Sequence, residues 1–382
     1  MLSRTRTPTP LTSSTTVAAA TPTGTAGLAA RFAARFTDDY YRPLPSRGAR
    51  GTPALRVGSI GAGSYLGECT DEEDARYEAT LYAGFVAGCN LVDTAIHHRC
   101  QRSERTAGRA LAHALSAGVV RRDEVVVCTR GGFVALDGAP PATRADYEAF
   151  LDRELFAPGI VAPSELTHGG HSLAPRFLRH QLARSRANLG VDTIDVYYLH
   201  EPERQLDTLD ATSFAATLRR AVETLEECVA RGEIARWGIA TWRGLRVPPG
   251  AKGHLALGDV VAAAHDVAGD AHHFAAVQLP ISLAMPEAVR ASTQPLESRG
   301  AARVVPALHA AQAHGLAVIA SAPLMQGQLA ANLPPQVRDA FPGCETDAQR
   351  AITFARALPG VTATIVGMRS TEHLAENLRA AR

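Results

Sequence analysis

The segment NLVDTAIHHRCQRSER, residues 90–105, shows the strand-then-helix pattern from which the fold can be predicted. A short apolar run ends in the polar residues Asp93 and Thr94, and a helical candidate follows over residues 103–117. A continuously apolar run is typical of a strand buried on both faces, and a strand that leads into a helix is one β/α unit. The segment therefore predicts a parallel sheet with helices packed against it.

The same unit recurs along the chain. The apolar runs are LRVGSI (55–60), NLVDTA (90–95), EVVVCTR (124–130), TIDVYYLH (193–200), RWGIAT (236–241), FAAVQL (274–279), LAVIAS (316–321) and TATIV (362–366). The helical candidates are residues 71–88, 103–117, 175–190, 213–232, 301–315, 347–358 and 371–381. Eight strands close a barrel that their own side chains can fill. An open doubly wound sheet is the alternative, but GAGSYLG (61–67) lacks the GxGxxG spacing expected after its first strand. We therefore predict an α/β fold, a (β/α)8 TIM barrel.

Composition excludes several classes of protein. The 382 residues are 46% hydrophobic and carry a formal net charge of +1, which gives no electrostatic signature of a nucleic-acid or anionic-membrane partner. No apolar run approaches the ~18–20 residues that cross a bilayer. The 6 cysteines form no CxxC pair, and Cys89 and Cys128 read as small core residues. A reducing, cytoplasmic location is the simplest interpretation.

The chain divides into three parts. Residues 1–24 are rich in Ser, Thr, Pro and Ala and are predicted to be a disordered tail. Residues 25–54 form an extension, with a helix over 26–36 and a hairpin that leads into the first strand, and residues 55–382 form the barrel. Two stretches exceed ordinary loop length, residues 131–174 and 280–300. Both follow strands, so we expect them to form a lid or walls at the carboxyl end of the barrel.

Polar residues follow the strands at the end where such barrels carry active sites. Asp93 and Arg130 lie on neighbouring strands and are expected to form a buried ion pair, either structural or tuning a proton donor. The position of His200 at a strand end favours function over a core role. His97 is expected to point away from the side chain of His98. No carboxylate is spaced to complete a metal site with these histidines, so none is predicted.

The start of the last helix is a second candidate site. Gly367, Arg369, Ser370 and Thr371 precede or begin it. Free backbone N–H groups and the helix dipole favour a phosphate there, and Arg369 adds a positive charge. Simple N-capping by Ser370 or Thr371 is the competing interpretation, and both can hold at once.

Seven segments, in order, resemble the aldo-keto reductase superfamily from about residue 55 to the C-terminus. They are NLVDTAIHHRCQRSER, VVVCTRGG, IDVYYLHEP, GEIARWGIATW, AVQLPIS, VIASAPLMQGQL and ATIVGMRSTEHLAEN. The resemblance implies a barrel that reduces a carbonyl with NADP, NAD being possible, on an Asp, Tyr, Lys and His tetrad. Those positions read Asp93, His98, Arg130 and His200 here. The resemblance also places Thr241, Gln278, Ser321, Leu324, Gly367, Arg369, Ser370, Thr371 and Asn377 at the cofactor.

The two changed tetrad positions leave three hypotheses. The first is an NAD(P)H-dependent reductase of a small-molecule carbonyl, in which Asp93 offsets Arg130 and His98 keeps a near-normal pKa. Tyr65 is a possible substitute phenol, with packing at the rim as its competing interpretation. The second is a nucleotide-binding protein of the same fold without reductase activity. The third is an isomerase or lyase that uses His98 and Asp93 as a base pair.

Overall fold

The computed structural model describes residues 19–45, 53–298 and 301–382. Residues 1–18 of the predicted tail lie outside the described residues. Residues 22–24, also assigned to the tail, instead begin the first helix. Pro22 occupies the first helical position, and the Thr21 hydroxyl accepts a hydrogen bond from the Gly24 N–H at 2.9 Å. This cap starts the helix four residues earlier than the apolar periodicity predicts.

The described residues form twelve helices and twelve strands. The helices are α1 (Pro22–Phe32), α2 (Asp71–Ala87), α3 (Arg102–Ser116), α4 (Arg144–Leu151), α5 (Pro175–Leu189), α6 (Ala211–Ala230), α7 (Leu257–Ala268), α8 (Glu287–Arg290), α9 (Ala307–Ala313), α10 (Pro335–Ala340), α11 (Asp347–Ala357) and α12 (Thr371–Leu378). The strands are β1 (Tyr41–Leu44), β2 (Leu55–Gly58), β3 (Ile60–Gly63), β4 (Leu91–Asp93), β5 (Val126–Gly131), β6 (Val196–His200), β7 (Trp237–Ala240), β8 (Phe274–Pro280), β9 (Ser292–Ser298), β10 (Ala301–Pro306), β11 (Ala317–Ser321) and β12 (Val361–Gly367).

Eight parallel strands close into the predicted barrel. Their order is β11-β12-β3-β4-β5-β6-β7-β8, so the first strand of the barrel pairs with the last. The inward-facing residues are small at several positions, including Ala240, Ala276, Ala317 and Ala363, and Tyr198 fills part of the remaining space. The prediction of a closed (β/α)8 barrel is confirmed. Closure places the carboxyl ends of all eight strands around one opening.

The first barrel strand is not where the sequence places it. The run 55–60 was expected to enter the barrel, but Leu55–Gly58 pairs antiparallel with Tyr41–Leu44 in a hairpin. Leu44, Leu55 and Val57 pack against the residues that fill the barrel, while Arg56 is exposed. The alternation of buried and exposed residues is that of a one-sided hairpin strand, so the barrel begins at Ile60 instead.

Three other differences concern the segment between β7 and β11. Helix α7 was not predicted, although an apolar face of Leu257, Val260 and Ala264 is buried. The predicted helix over 301–315 is a strand as far as Pro306 and a helix only from Ala307, because Pro306 lacks the N–H that a helix interior needs. Residues 292–306 form a β9–β10 hairpin.

Cys89 and Cys128 are buried in apolar clusters, as predicted for core residues. Among the described helices, none is both long and apolar enough to span a membrane.

Candidate active site

A cavity of about 1060 Å³ opens at the carboxyl end of the barrel. Several strand ends contribute one lining residue each: Gly63, Asp93, Arg130, His200, Ala240, Gln278, Ser321 and Gly367. The parallel strands bring these residues together although they are distant in sequence. Of the residues predicted to be catalytic, Asp93, His98, Arg130 and His200 all line this one cavity.

Arg130 is the centre of a buried polar network. Its Nη2 donates to Oδ2 of Asp93, its Nη1 donates to Oε1 of Gln278, and its Nε donates to the Thr94 carbonyl at 3.0 Å. The Gln278 amide in turn donates to Oδ1 of Asp93 at 3.0 Å. Burial raises the pKa of the Asp93 carboxyl, and the adjacent guanidinium opposes that rise. The predicted ion pair is confirmed. Arg130 supplies a permanent positive charge at the base of the cavity.

The network changes the interpretation of Gln278. The sequence predicts a cofactor contact, but its amide oxygen and one amide hydrogen are already used by Arg130 and Asp93. Gln278 still lines the cavity, so its second amide hydrogen is the group left for a ligand. Both carboxylate oxygens of Asp93 are likewise engaged. The base pair of Asp93 with His98 that an isomerase or lyase needs is therefore not formed.

Three imidazoles form a cluster above this network. The ring centroid of His97 lies 4.8 Å from that of His98 and 4.9 Å from that of His200. Among the described residues, the Nδ1 atom of each of the three is buried without a hydrogen-bond partner. The prediction that His97 points away from His98 is wrong. Strand β4 ends at Asp93, so the alternation of a strand no longer governs the residues of the turn that follows.

These imidazoles are neutral at physiological pH. Burial lowers the pKa of His97 to about 3, with further contributions from Arg130 and His171. Burial, His97 and Arg130 hold the pKa of His98 well below its ordinary value, and that of His200 is also strongly lowered by burial. The expectation that Asp93 would leave His98 near its reference pKa is wrong, because desolvation is the main cause. His98 cannot act as an imidazolium acid near neutrality.

Tyr65 lies at the mouth of the cavity, in the loop after β3. Its ring makes an edge-on contact with His98 at 4.9 Å between centroids. The side chain is 55% exposed, so it is not a packing residue buried at the rim. Trp242, 44% exposed, is a second aromatic residue of the cavity wall, and no role was predicted for it.

The two long stretches behave differently. The prediction that residues 131–174 form a cavity wall is confirmed, since Phe133, Val134 and Tyr147 line the cavity. The prediction for residues 280–300 is wrong, because none of its described residues lines the cavity. Hydrogen bonds from Thr293 and Gln294 to the Leu245 carbonyl hold that segment against the loop after β7. The polar side chains of Thr293 and Gln294 are thus used in contacts within the protein.

The resemblance implies that Thr241 contacts the cofactor. Its hydroxyl donates to Oε1 of Glu203 and accepts from the Gly244 N–H at 2.8 Å. The single hydroxyl hydrogen is therefore used inside the protein. Glu203 is itself buried, and burial raises its pKa. The contact of Glu203 with Thr241 could not be predicted from the sequence, because the two residues are distant in the chain.

The segment after β11 forms another wall. Ser321 and Leu324, both predicted at the cofactor, line the cavity. Ala322, Met325 and Gln326 have positive φ angles of 52°, 47° and 57°. Residues other than glycine adopt this backbone only when their surroundings hold it, and no residue type in the segment signals it.

The far end of the cavity reaches the start of α12. Gly367, Arg369 and Asn377 line it, as predicted. Ser370 and Thr371 are not among the lining residues. The Ser370 hydroxyl caps α12 by accepting from the His373 N–H at 3.2 Å, and Thr371 is the first helical residue. The N-capping interpretation is thus confirmed, and the free N–H groups of this first turn remain suited to an anion.

A dinucleotide fits this donor set better at one end than at the other. The α12 start and Arg369 suit phosphate groups, whereas Thr241 and Gln278 have most of their hydrogen-bonding capacity committed to the protein. Among the described residues, no group of three His, Cys, Asp or Glu side chains is placed to hold a metal ion.

Comparison with known proteins identifies the family. The model of the aldo/keto reductase family matches residues 57–247. The chain belongs to the aldo/keto reductase family. The match spans β2 to the loop after β7 and includes all four tetrad positions.

Individual relatives are more distant. The chain is 30% identical over 201 residues to a D-threo-aldose 1-dehydrogenase from Pseudomonas sp, covering 52% of this chain. It spans about half the length of that relative, 53%. Two structures of an aldo/keto reductase from Klebsiella pneumoniae, one in complex with NADP and acetate and one with NADPH, superpose with a TM-score of 0.55. They are 22% and 21% identical, and each comparison covers 88% of this chain and 90% of the other. At this identity the likeness establishes the fold.

Proposed function

We propose that this aldo/keto reductase is an NADP-dependent oxidoreductase that reduces a small aldehyde or ketone to an alcohol, with NAD as a second possible cofactor. One observation carries the proposal. A single cavity joins the charged Arg130 and the imidazole of His200 to the helix start beside Arg369. The first end suits a polarised carbonyl and the other a dinucleotide phosphate. The dehydrogenase name of one relative and the NADP and NADPH complexes of two others support the same reaction class.

Electrostatic polarisation is the main contribution of the protein in this proposal. NADPH, when bound, supplies a hydride to the carbonyl carbon. Arg130 keeps its positive charge and retains N–H groups beyond those given to Asp93, Gln278 and Thr94. It stabilises the negative charge that develops on the carbonyl oxygen. The neutral imidazoles of His98 and His200 provide N–H groups that orient the same oxygen.

Proton donation is the weak step of this site. A neutral imidazole is a poor acid, and a guanidinium does not release its proton near neutrality. We propose that solvent entering the open cavity supplies the proton that completes the alcohol. Turnover is then slower than in a relative with a tyrosine at position 98, because a positioned general acid contributes roughly 10²–10⁴-fold.

The test combines binding with turnover. Wild type should quench or shift NADPH fluorescence and should reduce simple aldehydes slowly. The double variant His98→Tyr with Arg130→Lys should raise kcat by about 10²-fold or more, since it restores a positioned acid. His309→Gln, at an exposed position away from the cavity, is the matched control and should change nothing. Absence of NADPH binding in wild type contradicts the proposal.

A second candidate function is cofactor binding without turnover. The neutral state of His98 and His200 favours it, because no buried acid remains in the imidazole cluster. NADPH binding with no aldehyde reduction in wild type, and reduction only in the double variant, would select this second candidate. The carbonyl substrate and the cytoplasmic location stay predictions under either function.

A further inference from the structure

We propose that Glu73 sets the preference of this site between dinucleotides with and without a 2′-phosphate, by holding the Arg369 guanidinium in a neutral pair. The inference rests on the proposed function. It concerns a residue of α2 that lies outside the cavity lining, and it assigns Glu73 a role in specificity rather than in the reaction.

The pair is bidentate and directed. Nε of Arg369 donates to Oε1 of Glu73 at 2.6 Å, and Nη2 donates to Oε2 at 2.8 Å. The Glu73 side chain is 5% exposed, whereas that of Arg369 is 45% exposed and lines the cavity. One edge of the guanidinium, Nε and Nη2, is therefore occupied by Glu73, and among the described hydrogen bonds of Arg369 its Nη1 is not used.

The first turn of α2 and the loop before it hold Glu73 in place. It lies in the first turn of α2, two positions after the helix begins, and its backbone N–H donates to the Thr70 cap at 3.3 Å. Gly67 faces its carboxylate with a φ of +109°, and a Cβ at that glycine would lie 2.5 Å from Oε1 of Glu73. The close approach of the loop thus depends on a glycine. The neighbouring carboxylate of Asp74 is bound by Arg99 and Arg102, whereas the direct ion-pair partner of Glu73 is Arg369.

The charges give the expected effect. A 2′-phosphate carries close to two negative charges at neutral pH, as other phosphate monoesters do. Arg369 attracts it, but the Glu73 carboxylate on the same guanidinium repels it and cancels much of that attraction. The affinity for a dinucleotide with a free 2′-hydroxyl is little affected, because that group carries no charge. The pair therefore permits NADH to compete with NADPH, although Arg369 alone would favour NADPH.

The experiment measures binding rather than turnover. Calorimetric titration at low ionic strength with NADPH, NADH, adenosine 2′,5′-bisphosphate and AMP separates the phosphate end from the nicotinamide end. In Glu73→Gln, which keeps the length of the side chain, affinity for NADPH and for the bisphosphate should rise by about tenfold, because one repelling charge is removed. Affinity for NADH and AMP should change by less than about twofold.

Glu72→Gln is the matched control. It removes the same charge from the same helical turn, but Glu72 is exposed and pairs with Arg76. It should leave all four affinities unchanged within about twofold, since exposed charges are screened. Thermal unfolding checks that both variants are folded.

Wild type gives an independent measurement if Glu73→Gln fails to fold. Its affinities for NADPH and NADH should lie within about tenfold of each other, because the subsite has little net charge. A wild-type preference for NADPH above about 100-fold, or an equal or lower NADPH affinity in folded Glu73→Gln, overturns the role of Glu73 while leaving the proposed function intact. Absence of binding of every probe to wild type and variant overturns both.

Discussion

Arg130 and Asp93 form a buried ion pair at the base of the cavity, and Gln278 bonds to both of them. The three groups close a ring in which Asp93 accepts on each of its oxygens. The ring holds the guanidinium in one position at the base of the cavity. The contribution of the ring to the free energy of unfolding can therefore be measured by substituting one of its three residues.

Arg130→Leu should lower the free energy of unfolding by about 3–5 kcal/mol, because it leaves the buried Asp93 carboxylate without its charged partner, with only the Gln278 amide still donating to it. Urea denaturation measures the change. Arg144→Ala is the control: Arg144 pairs with Glu148 on an exposed helix face, and its loss should cost about 0.5 kcal/mol or less. Equal effects of the two substitutions would show that the buried ring contributes no more than a surface pair.

The buried imidazoles predict a steep dependence of stability on pH. The folded pKa of His97 is about 3 and that of His171 is about 4, and those of His98 and His200 are also lowered. Since the unfolded chain binds these protons near pH ~6.5, the stability is present above that pH and is lost as the pH falls toward the folded values. Urea midpoints measured from pH 7 to pH 5 should therefore decrease.

His98→Phe isolates one member of this cluster. The substitution keeps an aromatic ring and removes one titrating group, so the slope of unfolding free energy against pH should fall by about 1.4 kcal/mol per pH unit below pH ~6.5. Exposed His309→Gln should leave the slope unchanged, because that side chain meets solvent in both states. An unchanged slope in His98→Phe would mean that His98 is protonated in the folded protein.

Thr241→Val tests whether the hydroxyl serves the protein or the cofactor. The substitution removes the hydrogen bonds to Glu203 and Gly244 and should destabilise the fold by about 1–3 kcal/mol. NADPH affinity should change by less than about twofold, because the only hydroxyl hydrogen is already donated to Glu203. Thr212→Val, on the exposed start of α6, controls for the change of side chain. A tenfold loss of NADPH affinity would show that the Thr241 hydroxyl contacts the cofactor.

Gly131 tests how closely the strands pack near Arg130. A Cβ at this position would lie 2.1 Å from Oη of Tyr197 and 2.7 Å from Oε1 of Gln181. Gly131→Ala should therefore destabilise the protein by about 1–3 kcal/mol in thermal or urea unfolding. Gly258→Ala, in α7 with open space around it, should be neutral or stabilising by up to about 1 kcal/mol. The opposite order of the two variants would contradict the packing described.

The sequence predicts the barrel because strands buried on both faces are continuously apolar. Seven of the eight runs contain most of a barrel strand, and the run 55–60 shares only Ile60 with one. The sequence also predicts that Asp93, Arg130 and His200 lie at the candidate site, because residues at the ends of parallel strands lie at the same end of the barrel. The run at Leu55 failed for a physical reason. A hairpin strand that covers the barrel interior is as apolar as a barrel strand, and only its antiparallel partner distinguishes them.

Other features depend on contacts between distant segments. The orientation of His97 follows from the turn after β4, not from a periodic pattern. The commitment of Thr241 to Glu203 and of Arg369 to Glu73 joins residues 38 and 296 positions apart. Burial, which lowers the pKa of His98, is a property of the folded cavity. A single sequence contains no local signal for any of these.

The pairing of β3 with β12 has a consequence for synthesis. Ile60 and Thr364 are register partners, so the first barrel strand leaves the ribosome about 300 residues before its final neighbour. Until then β3 has only β4 beside it, and one edge offers unpaired backbone groups to other chains. Hydrogen bonds from Arg42 to the carbonyls of Arg356 and Val361 also form only at that stage. Nascent chains truncated before β12 are therefore the species most exposed to aggregation and most dependent on chaperones.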